Sequence, residues 1–89
     1  METRVIVTEH ARQRSRERGD VPAAVINENA AKILAASVRA QTRRIALTSN
    51  EFPVIPIVEV SPRRQYIGLV IVTVLPQGSS IPHPIVHSR

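Results

Sequence analysis

Polar and apolar positions alternate in blocks along this chain. RVIV, residues 4–7, is a short β-branched run that predicts a strand. HARQRSRERG, residues 10–19, follows with four arginines, a histidine and no apolar stripe. It still predicts a helix, because Thr8 can cap its start, Glu9 suits its positive end and Gly19 suits its stop. Asp20 then caps a second predicted helix, with Pro22 in its first turn, running through PAAVINENAAKILAAS to about Ser37. Val25, Ile26, Ile33 and Leu34 recur at helical spacing and form its apolar side, and its alanines permit close packing.

After residue 42 the pattern is that of strands. RRIALTS (43–49) is a short β-rich run and FPVIPIVEV (52–60) a longer one. Pro56 cannot donate to a ladder, so the second of these is expected at an edge or at a bulge. SPRR (61–64) is a turn. QYIGLVIVTVL (65–75) is almost wholly aliphatic, which predicts a strand covered on both faces and central in its sheet. PQGSSIPHPIVHSR, rich in Pro and Ser, reads as an extended tail over 77–89 beyond one domain, 1–76. The order predicts an α+β fold, two N-terminal helices packed on a small antiparallel sheet.

At 89 residues the chain is of single-domain size, and its 43% hydrophobic content is that of a globular protein. No apolar run approaches the roughly 18 residues of a membrane span. The start lacks the basic-then-apolar order of a signal peptide, so the expectation is a cytoplasmic protein without a membrane partner. Without cysteine, disulfides, thiolate zinc sites and cysteine nucleophiles are excluded.

The net charge of +5 changes the picture more. Eleven of the twelve cations are arginine. The guanidinium fork suits phosphate, so the bias suggests a polyanion, nucleic acid first among them, although a GC-rich genome would produce the same bias without function. Phe52 and Tyr66 are the only aromatic residues, which disfavours base-stacking platforms; Tyr66 reads as packing.

On the first helix, His10, Arg14 and Arg18 fall at about 0°, 40° and 80°. Ala11 and Ser15 beside them mark the side that can approach a sheet, while Arg12 and Arg16 lie on the far side. The stripe can line a phosphate site. It can equally be a solvated face, with Arg14 paired to Glu17 three residues on.

The pattern H-A-x-x-R-x-x-x-R-G, carried by His10, Ala11, Arg14, Arg18 and Gly19, resembles the opening motif of a family of small bacterial and phage domains. That family is assigned to the RelE-like group of ribonuclease folds, with barnase and the colicin tRNases. The resemblance covers roughly residues 6–76 and includes a closing strand, here Thr73, Val74 and Leu75. Asp20 stands where the family continues with Ile or Val, and Leu75 where an aromatic is common. The resemblance implies a RelE-like α+β fold and cleavage of RNA through 2′-hydroxyl attack, with no metal and no cofactor. An antitoxin or a host protein is then a possible partner. In that chemistry His10, the only histidine of the expected globular part, is the acid or base. Arg14 and Arg18 hold the phosphate, and Thr73 donates a hydrogen bond or simply serves as a strand former. Arg12, Arg43, Arg44, Arg63 and Arg64 are the candidate nucleic-acid contacts.

His83 and His87 have a metal-pair spacing only on a helix, which Pro82 and Pro84 exclude. No glycine-rich phosphate loop or acidic metal cluster is present in the sequence. Three readings stay open: a metal-independent endoribonuclease, a non-catalytic binder of nucleic acid or an acidic protein, and an interaction protein using an exposed edge and the Pro-rich tail.

Overall fold

The structure, a computed structural model, describes residues 2–88. The expected first strand is β1 (Thr3–Val7) and the polar helix is α1 (Glu9–Arg18). Thr8 caps α1 as its sequence predicts: its side chain accepts from the Ala11 N–H at 3.1 Å. Gly19 ends it, with its N–H donating to the Ser15 carbonyl at 2.8 Å. The second predicted helix is two helices, α2 (Ala23–Glu28) and α3 (Ala30–Ala40). Asn29 makes the corner. Its side-chain amide donates to the Val25 carbonyl at 2.8 Å and competes with the helical ladder. Asp20 does not cap α2; Pro22 occupies that position without a side-chain cap.

Three further strands follow, β2 (Arg44–Thr48), β3 (Val54–Pro62) and β4 (Ile67–Pro76), and then β5 (Ile85–His87). The sheet order is β1-β4-β3-β2-β5. The fold is α+β, with three helices rather than two. The sheet is mixed rather than antiparallel: β1 runs parallel to β4 and β5 parallel to β2. Both parallel pairs arise because the helices carry the chain across one face between β1 and β2 and segment 77–84 carries it across the other between β4 and β5, while the two reversals, β2 to β3 and β3 to β4, cancel.

As its aliphatic run predicts, β4 is interior, between β1 and β3. The middle strand is β3, so Pro56 is not at an edge. It pairs with Val74 of β4, and the pairing of β3 with β2 begins one residue later, at Ile57, where no donor is missing. A bulge is present nearby, but not in the proline's own strand: the β3–β4 register shifts between Ile57 and Val58, and the extra residue, Val72, is on β4.

The helices cover one face. Ala11, Ile26 and Ile33 pack there with Ile45, Leu47, Val58, Leu69 and Val74, and Val25 and Leu34 are partly buried against them. Full burial of a side chain of this size contributes about 1.5–3 kcal/mol. The segment expected as a tail covers part of the other face. Ile81 packs with Ala46, Ile55, Ile57, Val72 and Leu75. The chain then joins the outer edge of β2, with the Ala46 N–H donating to the Pro84 carbonyl at 2.9 Å and the Ser88 N–H to the Thr48 carbonyl at 2.8 Å. Residues 77–88 are therefore built into the fold, because an uncovered apolar face and a bare strand edge both remain without them. Arg89 lies outside the described residues. No helix among the described residues is long and apolar enough to cross a membrane.

Candidate nucleic-acid interface

Helix α1 lies on β4 through Ala11, which is fully buried; Ser15 beside it is half-buried. That contact sets where the candidate residues go. His10, in the first turn, is exposed. Arg14 is half-buried and donates to Glu17 at 2.9 Å, the local pair that its spacing allows. Arg18 donates to the Val74 carbonyl at 2.7 Å. Strand β1 ends opposite Ile71, so β4 continues past it with an open edge. Thr8 serves the first carbonyl of that edge, Ile71, from both its N–H and its hydroxyl, and Arg18 serves Val74. One arm of the Arg18 guanidinium is thus committed to holding α1 on the sheet.

Thr73 does not join this stripe. The register skips Val72, so Thr73 rather than Val72 pairs with Ile57. Ile57 belongs to the cluster on the face away from the helices, and directly paired residues share a face. The bulge therefore sends Thr73 to the opposite side of the sheet from His10, Arg14 and Arg18. Arg12 and Arg16 are exposed as their helical positions predict. Arg12 also lines a shallow hollow of about 200 Å³ with Ser15, Asp20 and Val21.

Arg43, Arg44, Arg63 and Arg64 are brought together elsewhere. Arg44 opens β2 opposite Glu59, and the Val60 N–H donates to the Arg43 carbonyl at 2.7 Å. Arg63 and Arg64 occupy the turn that follows β3, closed by the Arg63 N–H donating to the Tyr66 carbonyl at 2.8 Å. All four are exposed at one end of the sheet. Arg44 pairs with Glu59 at 3.2 Å, whereas Arg43, Arg63 and Arg64 have no ion pair among the described residues. Arg12 lies on α1, beside Val7 and Ile71 and past the end of β1, so it does not belong to the same patch.

Two residues at the basic end carried no signal in the sequence. Arg4 of β1 extends its guanidinium over the Tyr66 ring, 4.4 Å from the centroid, and pairs with Glu2. The hydrogen bond that Arg4 donates to the Glu2 carboxylate, followed by the charge of that carboxylate, raises the Arg4 pKa above its ordinary value, which keeps the group cationic. Their meeting depends on β1 pairing with β4, 63 residues away in sequence for Thr8 and Ile71. His87 was also hidden, since its segment read as a tail. Its Nδ1 lies 2.6 Å from the Thr48 hydroxyl. With Glu51, Gln77 and Ser88 it lines a polar hollow of about 370 Å³, so His10 is not the only histidine of the folded part. Among the described residues, no three His, Cys, Asp or Glu side chains are grouped to hold a metal ion. Compared with models of protein families, with curated proteins and with solved structures, the chain finds no match.

Proposed function

We propose that this protein binds nucleic acid, with RNA the expected form, through the basic end of its sheet and without cleaving it. The observation that carries this reading is the grouping of Arg43, Arg63 and Arg64, all exposed and none paired with an acid, beside Arg44. Guanidinium groups set on strand ends and a short turn offer forked donors to successive phosphates. A binder needs only that display. The ribonuclease reading needs His10, Arg14, Arg18 and Thr73 around one phosphate. In this fold Arg14 is held by Glu17, Arg18 by Val74, and Thr73 lies on the other face.

The ribonuclease reading keeps one specific support. His10 is exposed in the first turn of α1, where its imidazole is open to an incoming substrate. The resemblance of the α1 motif to RelE-like domains points the same way. One assay separates the two. Labelled RNA is incubated with the full chain in EDTA, and both mobility shift and product are followed. Binding without product is expected. Cleavage that His10→Ala reduces by about 10²-fold or more would establish the catalytic reading instead.

A further inference from the structure

On the face of the sheet away from the helices, the packed cluster occupies one half. The segment 77–84 lays Ile81 over Ala46, Ile55 and Ile57. On the half toward the β3–β4 turn, Arg4 and Ile6 of β1, Gly68 and Val70 of β4, and Ser61 of β3 project the same way by register. Val70 is buried, yet it belongs to neither packed cluster. The atoms nearest to a Cβ placed on Gly68 all belong to Ser61 and Ile6 of the flanking strands, none to a helix or to 77–84. Ile6 and Ser61 thus close the floor of this shelf over Gly68, and what it exposes is its rim.

At its rim the Arg4 guanidinium lies over the Tyr66 ring, and 57% of the Arg4 side chain is exposed. Unpaired bases stack on rings and on guanidinium planes, whereas a duplex hides its base faces within the helix. Charge selects the occupant. Arg63 and Arg64 adjoin the shelf without acid partners, and its two glutamates, Glu2 and Glu59, are already held by Arg4 and Arg44.

We propose that the rim of this half-face is a docking platform for a single strand of nucleic acid, with one base stacked on the Arg4–Tyr66 pair and the flanking phosphates held by Arg63 and Arg64. The proposal rests on the nucleic-acid reading above and specifies its strand form. A guanidinium–ring pair at a strand end is neither a helix nor a ribbon that could enter a groove, so it selects the strand whose bases are free.

The experiment uses the full chain, fluorescence anisotropy and two probes at low salt: an RNA strand of about 12 nucleotides, within the site sizes usual for such surfaces, and the duplex of the same sequence. The strand should bind at least tenfold more tightly, by order of magnitude, than the duplex. Arg4→Lys keeps the charge and removes the plane. It should weaken the strand roughly 5- to 100-fold, the loss of one stacked base, and leave the duplex nearly unchanged. A 2-aminopurine in the strand should lose fluorescence on binding the native chain and not on binding Arg4→Lys, whose fold is checked by circular dichroism. Duplex bound as tightly as strand, or Arg4→Lys equal to the native chain, would overturn the platform while leaving nucleic-acid binding intact. Failure of both probes to bind would overturn the platform together with the reading it rests on.

Discussion

Gly19 shows how one residue can be dictated twice. Its φ of 128° and ψ of 152° lie in a region that is essentially confined to glycine. A Cβ there would also stand 2.8 Å from the Pro53 side chain, a ring with little freedom to yield. Both requirements come from the path between α1 and α2, not from any ligand. Gly19→Ala is therefore expected to cost about 1–3 kcal/mol and to lower the melting temperature by several degrees, read by circular dichroism. An unchanged melting temperature would show that α1 ends differently. At the same scale Arg14 and Arg18 have partners that account for them, Glu17 and the Val74 carbonyl, whereas Arg63 and Arg64 do not.

Among the elements, the terminal segment departs most from its sequence reading. Its prolines and serines predict an extended tail, and extended it is, but Ile81 closes one apolar patch and β5 closes the edge of β2. Removing residues 77–89 should therefore expose Ala46, Ile55 and Ile57 together with the bare edge of β2. The shortened chain is expected to melt well below the full one and to associate with rising concentration, seen by light scattering during a thermal ramp. Equal melting temperatures and a monomer at every concentration would instead support a domain confined to 1–76. Helix α1 illustrates the reverse case. Its polarity suggests a functional wall, yet buried Ala11, the Thr8 bonds to Ile71 and the Arg18 hydrogen bond seat it on β4.

Over the whole molecule, two basic regions stand at opposite ends of the sheet. Arg12 and Arg16 are on α1, whereas Arg43 and Arg44 are at the start of β2 and Arg63 and Arg64 in the adjoining β3–β4 turn. Counterion release makes the salt dependence of binding a count of the phosphates held. The double change Arg63→Ala, Arg64→Ala should weaken RNA binding and flatten the salt slope by about two contacts. Arg12→Ala with Arg16→Ala should leave the slope unchanged. The opposite pattern, in titrations at several salt concentrations, would move the interface to α1.

The sequence by itself determined what depends on neighbours along the chain. The Thr8 cap, the Gly19 stop, the apolar side of α2 and α3 through Ile26 and Ile33, and the interior place of β4 were all legible in it, because caps, periodicity and aliphatic runs act locally. The corner at Asn29 was not legible, since an asparagine inside a helical pattern has a solvent-facing alternative that only the Ser88 contact and burial remove. Tertiary structure alone decided the candidate site. A one-residue bulge beside Val72 turned Thr73 away from α1, because strand side chains alternate with a period of two and one extra residue inverts every face beyond it. Pairing of β1 with β4 set Arg4 over Tyr66, and pairing of β5 with β2 set His87 beside Thr48. Such meetings join residues distant in sequence, and no local pattern of hydrophobic and polar positions records which strand edges will find each other.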